Sequence, residues 1–158
     1  MAIPKKIIKH LKENKIRYEE IRHKTVYTAY DKSATLKVPS KIIGKTLAVK
    51  LDKTPALVLI AANKNLDIIK LKKLAKAKKI NFLGEVWMKK NLKGTKIGAI
   101  PPFGSLWKLP LFIDRGLLKE PKIIINSGDH NFSIKISPAE FKELTPNLVA
   151  GVFGKSKK

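Results

Sequence analysis

The centre of the chain reads Lys45-Thr46-Leu47-Ala48-Val49-Lys50-Leu51 and then, after a four-residue turn, Ala56-Leu57-Val58-Leu59-Ile60-Ala61-Ala62. The first segment alternates, which predicts a strand with Leu47, Val49 and Leu51 on one face. The second segment is apolar on both faces, as is typical of a central strand that is covered on both sides. Together the two segments predict a hairpin at the middle of a β-sheet.

Helices and one short strand are predicted before this hairpin. Pro4 precedes apolar residues spaced three and four apart, which indicates a helix that ends near Asn14. Residues 18–22 predict a short strand. Thr28 is a suitable N-cap for a helix that runs to about Leu36, because its hydroxyl can accept from a free amide of the first turn.

A strongly basic helix is predicted after the hairpin, from about Leu66 to Lys79. Its apolar stripe faces the core, and lysines cover much of the rest of its surface. These lysines are Lys70, Lys72, Lys73, Lys76, Lys78 and Lys79. A smaller helix is predicted near Glu85 to Leu92.

The last third of the chain predicts three strands and a final helix. The strands are expected near Leu109 to Asp114, Lys122 to Asn126 and Phe132 to Ile136. The segment Ser137-Pro138-Ala139-Glu140 has the pattern of a capping box and predicts a helix to about Leu144.

Strands in the middle, helices at both ends and no regular βαβ alternation indicate an α+β fold around a mainly antiparallel or mixed sheet. We expect one domain over residues 3–153 and a frayed basic tail over 154–158.

Composition limits the class of protein. The chain has 158 residues, of which 44% are hydrophobic, so it can bury a real core and is not expected to be disordered. It has no cysteine, and no apolar run is long enough to cross a membrane. These features fit a soluble protein of the reducing cytoplasm.

Charge indicates an anionic partner. The chain has 34 Lys and Arg residues against 12 Asp and Glu, a formal net charge of +22. Only Arg17, Arg22 and Arg115 are arginines, a skew that genome base composition alone can also produce. Because lysine is a point charge without the guanidinium fork, this composition favours contacts with phosphates over reading of bases.

Most catalytic templates are missing from the sequence. It has no phosphate-binding glycine loop of the Walker type, no dinucleotide fingerprint and no paired-histidine zinc motif. His10, His23 and His130 lie far apart along the chain, and acidic residues are scarce. We therefore predict no metal, no cofactor and no paired-carboxylate hydrolysis.

Three features remain as candidate sites. Strand parity directs Lys45 toward the core side, unless the strand begins after it and leaves it in a solvated turn. The segment from Gly98 to Gly104 has glycines that allow a ligand close to the backbone and prolines that stiffen it, although it also fits a rigid structural turn. Asn126-Ser127-Gly128-Asp129-His130 has the residues of a tight hairpin turn.

Motifs spread over the chain carry a family resemblance. They are, in order, Tyr27-Thr28-Ala29, Val38-Pro39, Gly44-Lys45-Thr46-Leu47, Leu66-Asp67, Gly98-Ala99-Ile100-Pro101-Pro102-Phe103-Gly104, Asp114 and Asn126-Ser127-Gly128-Asp129-His130. This set, between about residues 18 and 145, resembles the YbaK/EbsC family of aminoacyl-tRNA deacylases. The family is related to the editing domain inserted in some bacterial prolyl-tRNA synthetases, and the resemblance implies a mixed, barrel-like sheet flanked by helices.

The resemblance also implies an activity and a set of site residues. The activity is hydrolysis of the ester that links a wrong amino acid to the terminal ribose of a tRNA. The matched catalytic positions are Lys45 and Gly98. The matched substrate-binding positions are Thr28, Pro102, Gly104, Ser127, Gly128 and His130. Pro101 stands where a serine is common in the best-known branch of the family, which leaves the amino-acid specificity open.

Partners follow from the same interpretation. Mischarged tRNA is the expected substrate, with an aminoacyl-tRNA synthetase as a second candidate partner. The basic helix, through Lys70, Lys72, Lys73 and Lys76, is a candidate tRNA surface, although a solvated helix face would look the same. The chief rival hypothesis is a non-catalytic RNA-binding or synthetase-associated module with the same fold. A third hypothesis, charge-driven association with ribosomes or membrane surfaces, is weakened for membranes because no basic amphipathic helix carries aromatic anchors.

Overall fold

Ten strands and six helices make up the part of the chain that the computed structural model describes, residues 2–157. The helices are α1 (Lys5–Glu13), α2 (Ala29–Leu36), α3 (Ile68–Ala75), α4 (Glu85–Asn91), α5 (Arg115–Leu118) and α6 (Pro138–Leu144). The strands are β1 (Glu19–Arg22), β2 (Gly44–Leu51), β3 (Thr54–Ala61), β4 (Lys64–Leu66), β5 (Ile80–Phe82), β6 (Leu111–Asp114), β7 (Ile123–Asn126), β8 (Phe132–Ile136), β9 (Val149–Gly151) and β10 (Gly154–Ser156). Short 3-10 helices lie at Ser40–Ile42 and Gly104–Trp107.

The main sheet has the strand order β5-β2-β3-β6-β9. The predicted hairpin is confirmed, since β2 and β3 pair antiparallel from Gly44 opposite Ala61 to Leu51 opposite Thr54. β6 and β9 extend the sheet in parallel on the other side of β3. Residues 56–61 of β3 are all buried because one hydrophobic cluster packs on each face of this strand. The continuous apolar run therefore has the central position that it predicts.

A second sheet, with the order β1-β8-β7, is joined to the first at one point. Ile43, just before β2, forms an isolated parallel bridge with Ile124 of β7. Gly44, the first residue of β2, is closely packed: a Cβ atom there would lie 2.8 Å from Leu59 Cδ1 of β3 and 3.4 Å from Ile125 Cγ2 of β7. A third pair of strands, β10 and β4, is antiparallel.

The predicted single α+β domain with mixed sheets is confirmed. Five of the strand pairings are antiparallel and two are parallel. Within residues 2–157 the sheets do not close into a barrel, so the barrel-like core is an open one.

Two predicted helix caps are present. Thr28 Oγ1 accepts a hydrogen bond from the Asp31 amide at 3.0 Å, and Ser137 Oγ accepts from the Glu140 amide at 3.2 Å. Each hydroxyl satisfies one of the amides that a helix start leaves free. The helices therefore begin where the local sequence predicts.

The basic helix is shorter than the sequence predicts. It ends at Ala75, and Lys76 takes the left-handed conformation with φ +55°. The Asp52 carboxylate, from the β2–β3 turn, accepts from the amides of Lys78 and Lys79 at 3.0 and 2.9 Å. These bonds hold the chain away from the helix and lead it into β5, a strand that the sequence analysis missed.

The expectation of a frayed tail is wrong for residues 154–156. They form β10, and Phe153 just before them is fully buried. The buried Asp114 carboxylate accepts from the amides of Phe153 and Gly154 at 2.9 and 3.0 Å, which anchors the chain at the start of β10. Lys158 lies outside the described residues. Across residues 2–157, none of the helices is both long and apolar enough to span a bilayer.

Candidate functional site

A narrow pocket lies where the start of α2, the loop at residues 98–100 and the β7–β8 turn meet. Its lining consists of His23, Val26, Tyr27, Thr28, Lys32, Gly98, Ala99, Asn126, Asp129 and His130. Thr28, Gly98 and His130 are predicted site residues that the fold brings together from distant parts of the chain. This convergence of polar and titratable groups marks the pocket as the candidate site.

Backbone hydrogen bonds fix the loop against the turn. The Gly128 amide donates to the Ala99 carbonyl at 2.7 Å, and the Lys96 amide donates to the Gly128 carbonyl at 2.9 Å. Lys96 Nζ also pairs with Asp129 Oδ2 at 3.0 Å. The Ser127 hydroxyl donates to the Phe132 carbonyl at 2.7 Å and so closes the turn. The two walls of the pocket are therefore held as one unit.

Gly98 presents its backbone at the pocket. Its φ of +89° is a conformation that side chains with a Cβ rarely adopt. A Cβ atom there would lie 3.2 Å from His130 Cε1 and 3.7 Å from the Tyr27 carbonyl oxygen. Among residues 2–157, no backbone or side-chain acceptor takes a hydrogen bond from its amide. The Gly98 N–H is therefore available to a ligand.

His130 lies directly beside Gly98 in the pocket lining. Its ring contacts the ring of Tyr27, with centroids 4.8 Å apart and planes inclined at 56°. Its Nδ1 atom is buried and has no hydrogen-bond partner in the described part of the chain. A buried ring nitrogen without a partner is unusual in a folded protein.

Lys32 contributes a buried amine. Only 5% of this residue is exposed, and its Nζ donates to Asn126 Oδ1 at 2.7 Å. Asn126 Nδ2 in turn donates to the Ile100 carbonyl at 3.2 Å. Burial lowers the pKa of Lys32 to about 8 because the charged form loses its hydration. The result is a hydrogen-bonded chain that links α2, β7 and the loop.

His23 is held in one orientation beside Lys32. Its Nδ1 lies 2.8 Å from the Lys24 carbonyl oxygen and must donate, so Nε2 accepts from the Ser133 hydroxyl at 2.9 Å. Burial is the main reason that the pKa of His23 is lowered, and the nearby charge of Lys32 acts in the same direction. The surroundings of His23 therefore favour its neutral form.

Asp129 is the acidic residue of the pocket lining, and its carboxylate pairs with Lys96. Burial raises the pKa of its carboxyl, but the Asn131 amide at 2.8 Å and Lys96 outweigh that effect and lower the pKa overall. Its two carboxylate oxygens are thus already engaged, Oδ1 by the Asn131 amide of the turn and Oδ2 by Lys96 from the segment before Gly98.

A family model described as the aminoacyl-tRNA editing domain matches residues 23–144, which include every residue that lines this pocket. The chain belongs to the aminoacyl-tRNA editing domain family. The resemblance to YbaK-type proteins is thereby confirmed.

Solved structures share the fold of this editing domain. A hypothetical protein superposes with a TM-score of 0.85 at 24% identity, over 96% of this chain and all of the other. A protein described as a candidate trans-editing enzyme for prolyl tRNA synthetase gives a TM-score of 0.81 at 21% identity, over 96% of both chains. A scaffold used for computational epitope grafting gives 0.79 at 22%, again over 96% of both. No curated protein matches the chain in sequence.

Lys45 of the editing domain is the second residue of β2, opposite Ile60 of β3. It does not lie in a solvated turn: it is half-buried, and burial and the charge of Lys157 lower its pKa. Lys45 is outside the lining of the narrow pocket. Ile43 nevertheless forms a parallel bridge with Ile124. Lys45 and Asn126 each follow their bridge residue by two positions, so they lie on the same side of adjoining strands.

Four predicted substrate-binding residues do not line the pocket. Pro102 and Gly104 are buried, and a Cβ atom at Gly104 would lie 2.5 Å from the Leu109 carbonyl oxygen, so this glycine serves the packing of the loop. Ser127 and Gly128 lie within the β7–β8 turn: the Ser127 hydroxyl donates to the Phe132 carbonyl, and Gly128 packs against Pro4. Their direct contact with substrate stays a prediction.

The lysines predicted to contact tRNA lie on and just after α3. Lys70, Lys73 and Lys76 are exposed and Lys72 is half-buried. The other face of α3 packs through Leu71 and Leu74 on the second core cluster, and none of the four lysines reaches the pocket. They form a separate basic surface.

The sequence analysis missed Lys32 as a site residue, and it named Asn126 only as part of the 126–130 turn motif. A signal for Lys32 was present, since Ala29, Lys32 and Leu36 are spaced three and four apart on one face of α2, which is the buried stripe of an amphipathic helix. A lysine at such a position is worth attention because burying its charge is costly.

A larger groove of about 480 Å³ lies elsewhere on the domain. It is lined by Ser105, Lys108, Leu109, Pro110, Leu111, Thr145, Pro146, Asn147 and Leu148. None of the predicted site residues borders it, and it has no converging titratable side chains. The narrow pocket is therefore the better candidate despite its smaller size. Within residues 2–157, no three His, Asp or Glu side chains come close enough together to hold a metal ion.

Proposed function

We propose that this editing domain is a trans-editing deacylase that hydrolyses the ester bond of mischarged tRNA. The observation that carries the proposal is the Gly98 amide, which belongs to a residue of the pocket lining and has no hydrogen-bond partner among residues 2–157. An amide held in this way is the kind of donor that stabilises a developing oxyanion.

The reaction needs little from the protein beyond position and electrostatics. Water attacks the carbonyl carbon of the aminoacyl ester, and negative charge builds up on the carbonyl oxygen, where the Gly98 N–H donates. The bond from carbon to the ribose oxygen then breaks, the ribose hydroxyl recovers a proton, and a free amino acid leaves. Because an aminoacyl ester is already activated, holding it in place can supply much of the rate increase.

Lys45 is proposed as the anchor of the substrate. Its half-buried ammonium would pair with the terminal phosphate or with the ester oxygen and so fix the acceptor end of the tRNA. The neighbouring charge of Lys157 strengthens the attraction of this part of the surface for an anion.

Exposed aromatic rings next to the pocket fit a single-stranded RNA end. Tyr27 is 67% exposed although its ring touches His130, and Tyr30, in the first turn of α2, is 76% exposed. Unpaired bases stack on such rings. The α3 lysines supply a second, electrostatic surface for the body of the tRNA, in the cytoplasm where charged tRNA is found.

The test is to incubate the protein with a panel of mischarged tRNAs and to follow the loss of the ester. We expect hydrolysis of at least one mischarged species above the spontaneous rate, and no such acceleration for the correctly charged form of the same tRNA. Binding of tRNA without any ester loss would favour the rival hypothesis, a non-catalytic RNA-binding module. Activity that appears only when a synthetase is added would favour a synthetase-associated module.

A further inference from the structure

Lys32 is a buried cation without an acidic partner. It takes part in none of the ion pairs formed among residues 2–157, and its one hydrogen-bond acceptor, Asn126 Oδ1, is neutral. An ammonium group has three donors, so two of them have no protein acceptor. A buried charge with so few partners is costly unless a ligand completes its shell.

The charged and titratable groups around Lys32 do not fill this role. His23, on the β1 side, has both ring nitrogens engaged with Lys24 and Ser133. Asp129, from the β7–β8 turn, is held by Lys96 and by the Asn131 amide. His130, from the same turn, lies beside Gly98 and has an unpartnered Nδ1 of its own. Lys32, which lines the pocket, therefore has two donors that no acceptor among residues 2–157 takes up.

We propose that Lys32 is a specificity-determining residue, which selects aminoacyl groups whose small side chain carries a hydrogen-bond-accepting oxygen over apolar side chains of similar size. The inference rests on the proposed function. The pocket has a volume of about 10 Å³, which is room for about one water-sized group such as a hydroxyl beside Lys32. A hydroxyl oxygen accepts from Lys32 Nζ, whereas a methyl group leaves the buried donors unpaired, and sites built on a buried polar group discriminate strongly in this way.

A purely positioning role for Lys32 makes a different prediction. Through Asn126, Lys32 supports the Ile100 carbonyl and hence the loop that carries Gly98. If this support were its whole contribution, loss of the amine would slow every substrate by the same factor.

The experiment compares seryl and alanyl esters on one and the same tRNA, which differ by a single oxygen atom. We expect the parent protein to prefer the seryl ester in kcat/KM by about tenfold or more. Lys32→Met, which keeps the length of the side chain and removes the donors, should bring the ratio close to one, because it lowers kcat/KM for the seryl ester much more than for the alanyl ester. Lys24→Met is the matched control, because it removes an exposed lysine next to His23 and should keep the parental ratio.

Each outcome decides the proposal. A seryl-to-alanyl ratio that Lys32→Met does not change, or an equal loss on both esters, overturns it, as does a parent that prefers the alanyl ester. Thermal unfolding checks that the variant is folded; if Lys32→Met is not, Lys32→Leu, which also removes every donor, gives the same comparison. A parent that hydrolyses neither these nor any other mischarged tRNA contradicts the proposed function itself, whereas hydrolysis without the predicted ratio contradicts only the role of Lys32.

Discussion

The pocket and the α3 surface use the same residue type in opposite ways. Lys32 in the pocket is 5% exposed and is held by one short hydrogen bond, and its pKa is lowered to about 8 by burial. Lys70, Lys73 and Lys76 on the α3 surface are exposed to solvent. Burial, and not the number of positive charges, thus decides which lysine has an altered chemistry.

The two regions also differ in what they can recognise. Exposed charges act over about 10 Å at ordinary salt and attract any polyanion. The groups of the pocket are fixed by hydrogen bonds between the loop and the turn, so they can distinguish one small ligand from another. We expect changes in the pocket to affect catalysis and changes on α3 to affect affinity.

The largest effect is expected for Lys45. Lys45→Ala should lower single-turnover ester hydrolysis by on the order of 10³-fold while the protein stays folded, because a half-buried charge is removed and no core side chain is lost. Lys45→Arg should also be strongly impaired, since a planar guanidinium cannot replace a point charge in a confined place. Lys50→Ala, an exposed lysine of the same strand, is the control and should behave like the parent.

Full activity of Lys45→Arg would mean that only charge matters at this position and would indicate a peripheral phosphate anchor. Near-parental hydrolysis by folded Lys45→Ala would remove Lys45 from the mechanism.

The next effect is expected for Gly98→Val. The new side chain would stand against His130 and fill the space in front of the amide, so hydrolysis should fall by about 100-fold, which corresponds to about 3 kcal/mol. The backbone strain at φ +89° should cost about 1–3 kcal/mol of stability as well. Single-turnover hydrolysis and denaturant unfolding measure the two effects separately.

Gly94→Val is the matched control for that strain. Gly94 has a φ of +93°, but it is exposed and a Cβ atom there meets only the flexible Lys6 side chain. This variant should lose stability and keep its activity. Equal activity losses in both variants would mean that strain, and not the blocked amide, limits Gly98→Val.

A pH-dependent stability difference is expected from Lys32. Its pKa is about 8 in the folded protein, whereas the ordinary value of 10.5 applies to the unfolded chain. The unfolded chain therefore binds the proton more tightly. Stability should therefore rise as the pH increases from about 8 toward 10.5, and the full penalty is present below pH 8. Between pH 7 and 10 the unfolding free energy of the parent, relative to that of Lys32→Met, should rise by about 2–3 kcal/mol.

The comparison with Lys32→Met cancels the titration of the other lysines. Denaturant unfolding of both proteins across this pH range gives the difference directly. A difference that does not depend on pH would show that Lys32 keeps an ordinary affinity for its proton.

The smallest effect is expected on the α3 surface. Replacing Lys72, Lys73 and Lys76 together by Ala should weaken tRNA binding and reduce the slope of log affinity against log salt by about 0.7–0.9 for each lost phosphate contact. The choice of amino acid should not change. Replacing the exposed Lys89, Lys90 and Lys93 by Ala removes the same charge from another surface and should have less effect.

Equal weakening by the two triple variants would mean that only net charge matters to tRNA binding. A changed amino-acid preference in the α3 variant would place that helix at the border of the pocket.

Much of the local structure was predictable because it depends on neighbours in sequence. The period-two pattern of residues 45–51 and the apolar run of 56–62 predicted β2 and β3, and Thr28 and Ser137 predicted the starts of α2 and α6. The same is true of the irregular loop after Gly98. The predicted end of α3 was wrong because it depends on a distant residue. Asp52, in the β2–β3 turn, accepts hydrogen bonds from the amides of Lys78 and Lys79 and so leads the chain away from the helix.

The candidate site also has parts that the sequence predicted and parts that only the fold brings together. The motifs of Gly98 and of the 126–130 turn were visible in the sequence, and with them the family and its expected chemistry. The contact of Lys32 with Asn126 was not, because 94 residues separate the two and no pattern records which polar groups will meet. The pairing of β10 with β4 was hidden for the same reason, since three strand residues in a basic terminus carry little signal of their own.

Periodicity, caps and motifs fix which segments become strands, helices and loops, because these depend on contacts a few residues apart. Lys32 is buried because α2 packs against β7 and the Gly98 loop. The same packing leaves its ammonium with a single acceptor, Asn126 Oδ1. Only the folded chain removes water from Lys32, and this loss of hydration lowers its pKa and distinguishes Lys32 from the exposed lysines.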